Sequence, residues 1–493
     1  MAFRIFRASS NSISVGFAVS RSKEGNQISI VVGPNGVGKT RLLAAIANKF
    51  RERKGSGGLK DSLADFKVEL ASTSLVAPSR VVAQTFSPFS RFPADRRQLM
   101  RFKEYLNDEQ EKYVAIGFTR AMGIRGSVSK DAVGRIVRKL VTRPDQSVPL
   151  GVALRGLGFH ERLELWYAST PGSNGLDLSG ENKSRTQWRN EVSRFLGSIE
   201  SRDRVYSEQL RVKRELSDKS EVRETTVREI EESLHLVLSL ESKSVRGNAS
   251  SSRPQFRVDL RLDQQLSAQT RQLLKALVTL NRFGILRLQD CNFYPDGSRR
   301  DWSQDSLADW KGASPAFDIT DASSGEQQLL SSLFGLVAEA EDDCLILMDE
   351  PELSLHPSWQ TQFLDLLLEA IKGFKGCHVI IATHSALLAQ RARELKLDIV
   401  NLGRSGFQDV DGIAARPSVD QTLLETFGLA VRDSAYVSRL LLSIVLDAEA
   451  SPARSETAHV KLRALKDIYD SAAVKDEHVS ELINDALQLI GSQ

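Results

Sequence analysis

Residue types that handle phosphate, metal and water recur at a few places in this chain. In Gly33-Pro34-Asn35-Gly36-Val37-Gly38-Lys39-Thr40, glycines permit torsions that turn backbone N–H groups inward on phosphate oxygens. Lys39 supplies a point charge for the β- and γ-phosphates, and Thr40 offers a hydroxyl to Mg²⁺. Leu345-Ile346-Leu347-Met348-Asp349-Glu350 closes an apolar run with two carboxylates. Asp349 is the expected Mg²⁺ ligand. Glu350 points the other way if strand geometry persists, and is placed to orient and deprotonate an attacking water. Ile381-Ala382-Thr383-His384-Ser385 ends a second apolar run in a histidine that can donate to a γ-phosphate and report its presence. Gln84, at the end of Val81-Val82-Ala83-Gln84-Thr85, is expected to touch Mg²⁺ and the water.

Ser323-Ser324-Gly325-Glu326-Gln327 reads first as a helix start, with Ser323 and Glu326 at capping-box spacing. The same geometry makes an anion site from free N–H groups and the helix dipole, and Gly325 allows close approach.

The elements that must position these residues are legible around them. Ile28–Val32 is a short β-rich run, the glycine loop follows, and Arg41–Ala47 begins a helix. Val81–Thr85, Cys344–Met348 and His378–Ala382 read as strands. Trp359–Ile371 reads as a helix with Phe363, Leu366, Leu367 and Ile371 on one face. Residues 54–60 form a turn. Between about 91 and 310 the chain becomes rich in arginine, glutamate and serine. Asp203–Ser244 reads as amphipathic helix through Val222, Val227, Ile230, Leu234 and Leu238, followed by a serine-rich loop at Gly247–Pro254. The tail from about 415 is mostly helical, with apolar stripes at Leu440, Leu441, Ile444 and Val445, and at Leu482, Ile483, Leu487 and Leu489.

Lys39 and Asp349 lie 310 positions apart, so the nucleotide core is split by an insertion. The expected organisation is a first part of the head at 1–90, a mostly helical insertion at 91–315, a second part of the head at 316–404 and a helical region at 405–493. With 493 residues, the chain is too long for one ordinary domain, and 41% hydrophobic with 26% charged residues is a globular balance. No apolar run of about eighteen residues suggests a membrane span, and Met1–Arg7 reads as a strand rather than a signal peptide. Three cysteines without a CxxC pair argue for core thiols in a reducing cytoplasm. A net charge of +3 permits nucleic-acid contact by local patches without demanding it. One such patch, Arg96, Arg97, Arg101 and Lys103, follows Gln84. It is expected to bind nucleic acid or an effector protein, a solvated helix face being the other reading.

In this order the motifs resemble the ABC ATPase superfamily, with Ser324-Gly325-Glu326-Gln327 standing where LSGGQ stands in others. The run Asp349-Glu350-Pro351-Glu352-Leu353-Ser354-Leu355-His356-Pro357 departs from transporter heads and is similar to the soluble OLD-type, RecF-like and SMC-like branch. Within it, Thr85-Phe86-Ser87-Pro88-Phe89-Ser90-Arg91-Phe92 and Ser323–Gln328 look like the PtuA family, the ATPase subunits of Septu anti-phage systems. The superfamily resemblance covers roughly 1–90 and 316–404. It implies an α/β ABC-type head, ATP and Mg²⁺ as cofactors, and a homodimer of heads in which the signature reaches the nucleotide of the partner copy. The Septu resemblance implies an associated HNH nuclease. No acidic glycine-flanked motif of the kind in OLD nucleases follows residue 404, and the seven histidines form no nuclease pattern. The expected function is a regulatory ATPase that controls a nuclease. The alternative is an SMC/RecF-like ATPase acting on DNA in repair or recombination. A transporter motor is disfavoured by the insertion and by the Leu355-His356-Pro357 loop.

Overall fold

The computed structural model describes residues 2–10, 13–18, 25–51, 66–72, 74–85, 87, 91–93, 112–117, 128–170, 176, 178, 183–200, 220–241, 255–295, 317–318, 324–402, 418–432, 434–450, 452–471 and 476–491. The turn at 54–60, the patch Arg96–Lys103, residues 203–219 and the loop Gly247–Pro254 lie outside them. The chain forms two compact units. One comprises 1–93, 342–364 and 375–493, and the other 94–341 and 365–374.

The first unit contains a small antiparallel sheet of β1 (Ile5–Ser9), β2 (Ser14–Gly16) and β4 (Lys67–Leu70), in the order β2-β1-β4. Its main sheet is parallel. It runs β13 (Asp398–Asn401), β3 (Gln27–Val32), β12 (His378–Ala382), β11 (Leu345–Asp349), β5 (Val81–Thr85). Every residue of β3, β5, β11 and β12 is buried. Strands covered on both faces have no polar side to alternate with, which is why they read as unbroken apolar runs. Helix α1 (Lys39–Phe50) touches β11 and β12. Because the strands are parallel, their C-terminal ends share one edge, where ligands of open α/β sheets bind.

A directional chain of hydrogen bonds ties this sheet together near its other edge. The Ile5 N–H donates to His378 Nδ1 at 3.2 Å, which leaves the imidazole proton on Nε2. Nε2 lies 3.3 Å from the Ser29 hydroxyl, which donates to Asp398 at 2.7 Å. Burial, reinforced by the nearby Arg4 guanidinium, pushes His378 down to about 3. None of the three cysteines is in a disulfide, all three are buried, and the Cys344 and Cys377 sulfurs lie 3.4 Å apart.

The C-terminal helices of this unit are α9 (Ala386–Glu394), α10 (Val419–Phe427), α11 (Ala435–Ala450), α12 (Pro452–Asp470) and α13 (Glu477–Gly491). The apolar stripes of the last three meet one another: Leu440, Ile444, Leu462, Leu465, Tyr469 and Ile483 form one core with Leu424. Leu442 and Leu489 face outward instead.

The second unit holds β6 (Tyr113–Gly117) and a four-stranded antiparallel sheet of β7 (Phe159–Ser169), β8 (Gln255–Arg261), β9 (Leu286–Pro295) and β10 (Phe317–Asp318), in the order β10-β9-β7-β8. Around them lie α2 (Val128–Thr142), α3 (Ser147–Gly156), α4 (Arg185–Glu200), α5 (Ser220–Glu241), α6 (Ala268–Arg282) and α7 (Ser324–Glu339). Helix α8 (Pro357–Ile371) begins in the first unit. The sheet is a feature that the helical reading of this region did not contain. Its inner face carries Leu163, Leu165, Phe256, Val258, Leu260 and Phe293, and the Phe293 ring stacks on Phe334 of α7 at 4.8 Å. Two buried cations fix the far end of α7. Arg135 pairs with Glu339 at 3.1 Å, and Lys139 donates to the carbonyls of Ala340 and Val337 at 2.6 and 3.2 Å. Those carbonyls belong to the helix end that has no intrahelical donors left.

Candidate active site

The glycine loop leaves the end of β3 and runs directly into α1, which begins at Lys39. Its backbone needs glycine at defined points. Gly38 has φ 108°, a torsion that side chains rarely adopt. A β-carbon on Gly33 would stand 2.4 Å from the Leu402 carbonyl oxygen, just beyond β13, so the loop folds against a backbone wall.

Lys39 is buried, with only 4% of its surface exposed. Its ammonium donates to the carbonyls of Gly33 and Pro34 at 2.6 and 3.1 Å, and stands 3.1 Å from His384 Nδ1. Burial pulls Lys39 down to about 8, while the carboxylates of Glu350, Asp349 and Glu352 oppose that fall. An ammonium only donates, so Nδ1 of His384 accepts and its proton sits on Nε2. Nε2 lies 3.4 Å from the Glu350 carboxylate. Burial, and then the Lys39 charge, hold His384 below the ordinary histidine value, with Glu350 acting against them.

Thr40 donates its hydroxyl to Asp349 at 3.1 Å. Burial pushes Asp349 up to about 7. The Thr40 hydrogen bond pulls back, and the negative charges of Glu350 and Glu352 add to the rise. Glu350 departs from the expectation of strand alternation. The strand ends at Asp349, and Glu350 adopts φ 50°, so a turn rather than the pleat aims its side chain. Its N–H still donates to the Ala382 carbonyl at 2.9 Å, which keeps the turn on the sheet edge. Gln84 is the last residue but one of β5, fully buried, and stands in register beside Met348, whereas Thr85 stands beside Asp349.

The loop 33–38, Lys39, Thr40, Asp349, Glu350 and His384 therefore share one edge of one sheet. Apart from Gln84, which is on β5 of the first unit, the remaining predicted residues belong to the second unit. Ser323 lies outside the described residues. Helix α7 begins at Ser324, Glu326 is buried in its first turn, and Gly325 and Gln327 are half-buried. Sequence reasoning missed Glu352, which accepts hydrogen bonds around His384. Its only signal is a carboxylate two positions after the Asp349-Glu350 pair.

The donor set fits a magnesium nucleotide. Thr40 and Asp349 are hard oxygen groups already in contact, and three carboxylates gather where Lys39 is the counter-charge. Magnesium keeps most of its shell for water and phosphate, so one or two protein oxygens suffice. Among the described residues no group of three His, Cys, Asp or Glu side chains forms a metal site. Among the same residues no helix is long and apolar enough to cross a membrane.

Residues 176–389 match the family model described as AAA domain, putative AbiEii toxin, Type IV TA system. That span includes α7, Asp349, Glu350 and His384, and begins after the glycine loop. No curated protein shows significant similarity to the chain. The match covers less than half of the chain and supports an AAA-type ATPase domain, and the α/β fold with its parallel sheet is consistent with a P-loop ATPase core.

Proposed function

We propose that the chain is an ABC-type ATPase of the soluble branch, whose heads pair around ATP and which controls an associated nuclease in bacterial anti-phage defence. The observation that carries the ATPase reading is that one sheet edge gathers two sets of contacts of 3.1 to 3.4 Å, Lys39–His384–Glu350 and Thr40–Asp349.

In this reading the loop N–H groups and Lys39 hold the phosphates of ATP. Thr40 and Asp349 would hold Mg²⁺, which would supply neutralising charge at the phosphate oxygens. Glu350 accepts the proton of the attacking water. His384 presents its Nε2–H toward Glu350 and fixes that carboxylate, while its Nδ1 accepts from Lys39. Gln84 lies beside the same edge and links it to the start of the insertion. The signature Ser323-Ser324-Gly325-Glu326-Gln327, of which the described part from Ser324 opens α7, meets the nucleotide of a second copy. The head is taken as 1–90 and 316–404, with the insertion 91–315 and the region 405–493 available to other partners.

Glu350→Gln tests the chemistry. It keeps the shape and loses the base, so ATP turnover should fall about a hundredfold or more with ATP binding retained. Paired heads should accumulate with ATP, read as a doubled mass. Turnover equal to that of the unsubstituted chain removes Glu350 from the catalytic role. The nuclease reading is supported by the resemblance to PtuA in Thr85–Phe92 and Ser323–Gln328, and copurification tests it. An HNH nuclease recovered with the chain upholds it. Tight DNA binding by the chain alone, with no nuclease recovered, favours the repair reading.

A further inference from the structure

We propose that Glu352 is a positioning residue for ATP hydrolysis. It clamps the turn that carries Glu350 to the turn that carries His384, and so sets the distance between the two side chains. This rests on the ATPase reading above and deepens it.

The Glu352 carboxylate lies between the segments that follow β11 and β12. One oxygen, Oε1, accepts three hydrogen bonds: from the Thr383 hydroxyl at 2.7 Å, the His384 N–H at 2.8 Å and the Ser385 N–H at 3.2 Å. These donors are consecutive, so one atom fixes the whole link between β12 and α9. Beyond it, the Ser385 hydroxyl caps α9 by accepting from the Leu388 N–H at 3.1 Å, and donates to Gln360 at 2.6 Å. Gln360 in turn donates to the Leu355 carbonyl at 3.0 Å, back on the first segment.

The other side of the clamp is equally constrained. Glu350 and Ser354 both have positive φ, 50° and 68°. The Leu353 N–H donates to the Glu350 carbonyl at 3.1 Å, and the Leu355 N–H to the Glu352 carbonyl at 2.9 Å. Glu352 therefore sits in a tight turn that starts at Glu350. Both sides lie close to the chemistry: only Pro351 separates Glu350 from the clamp, and the His384 backbone N–H donates to it.

A full charge is a costly way to join two loops. The second oxygen, Oε2, is buried and has no hydrogen-bond partner among the described residues. Burial raises the Glu352 carboxyl above its ordinary value, and the Glu350 charge adds to the rise. What the anion gains is strength: hydrogen bonds to an ionised acceptor are about twice as strong as neutral ones, and three converge on one atom. Rigid placement of catalytic groups is worth such a cost, because misplacement by about 1 Å can lose a hundredfold in rate.

The test compares Glu352→Ala, Glu352→Gln and Thr383→Val in the full chain. The measurements are ATP turnover, affinity for a fluorescent ATP analogue, and hydrogen exchange of the amides at 383–386. Glu352→Ala should lower kcat by about tenfold while changing nucleotide affinity by less than about threefold. Exchange at His384 and Ser385 should accelerate. Glu352→Gln keeps one acceptor oxygen and should restore most of kcat and of the protection. Should Glu352→Ala not fold, Thr383→Val carries the same test, with a smaller loss of about threefold in kcat. Turnover within about twofold of the unsubstituted chain in Glu352→Ala overturns the proposal. So does an equal loss in Ala and Gln variants with exchange at these amides unchanged. An unsubstituted chain that hydrolyses no ATP, yet shows the acceleration in Glu352→Ala, refutes the ATPase reading and upholds the clamp.

Discussion

Glu164 in the second unit and Asp349 in the first are both buried carboxylates, at 5% and 2% exposure, and their surroundings differ in kind. Glu164 lies on the outer face of the antiparallel sheet. It accepts from Trp166 at 2.6 Å, Tyr294 at 2.7 Å and Asn292 at 3.2 Å, and pairs with Arg257 at 2.5 Å. Burial alone would raise it, but the Tyr294, Trp166 and Arg257 donors together hold it below the ordinary value. Asp349 accepts from Thr40, has two further carboxylates as neighbours, and is pushed up to about 7. One carboxylate is satisfied by its own fold. The other is left short of positive charge at a place where a cation can enter. Burial does not separate the two roles; the completeness of the hydrogen-bond shell and the charge of the neighbours do.

The sharpest break of this comparison is Asp349→Asn. ATP turnover should fall about a thousandfold, since the metal loses its anionic ligand. In the absence of nucleotide and Mg²⁺ the variant should melt no lower than the unsubstituted chain, because a buried charge has been removed. A clear loss of melting temperature would place Asp349 in the same class as Glu164.

The next test concerns pairing. Lys39→Ala should lose nucleotide binding, and Gly325→Asp should bind ATP without productive pairing, through like-charge repulsion at the γ-phosphate. In a mixed pair, one site combines both defects and the other has an intact loop and an intact signature. A 1:1 mixture should therefore recover up to about a quarter of the original turnover for a two-fold dimer. Recovery at no mixing ratio counts against the composite site.

Glu164→Ala should produce the opposite profile to Asp349→Asn. Four donors lose their acceptor, so the stability should drop by about 2–3 kcal/mol. The folded fraction should bind ATP as before. Loss of nucleotide affinity in folded protein would erase the distinction between the two centres.

The smallest effect is a pH dependence from His378. Its folded value, about 3, lies below the ordinary 6.5. Between these, the unfolded chain takes up a proton that the folded chain refuses. Stability should therefore fall as pH drops below about 6.5, by at most about 1.4 kcal/mol per pH unit from this group. His378→Asn should start less stable and show a flatter dependence between about pH 6.5 and 5. An unchanged slope would assign the acid sensitivity to other groups.

The parallel sheet was legible because strands buried on both faces leave continuous apolar runs. Val81–Thr85 and His378–Ala382 match their strands residue for residue. The helix beginning at Ser324 was readable from its cap spacing, although Ser323 itself lies outside the described residues. The antiparallel sheet was hidden by distance, since β7 and β8 are separated by a long stretch rich in charge. Its one local signal is the alternation of Phe256, Val258 and Leu260 with Arg257 and Asp259. Glu352 was illegible because a glutamate in a turn ordinarily reads as solvated, and only the tertiary fold brings Thr383, His384 and Ser385 to it. The tail stripes demanded cover, and short connections let α11, α12 and α13 cover one another.

The position of β3 between β12 and β13 has a consequence for how the protein is made. β3 is complete at Val32, yet its neighbours on both sides lie beyond residue 377, and the wall for Gly33 is Leu402. At synthesis rates of about 5–20 residues per second, that separation is roughly twenty seconds to over a minute. Throughout that interval the ribosome carries a nascent Gln27-Ile28-Ser29-Ile30-Val31-Val32 segment with both hydrogen-bonding edges open. The glycine loop is among the first parts translated and among the last to acquire its shape. A nascent chain cut short before β13 is then a client for chaperones rather than a partial nucleotide binder.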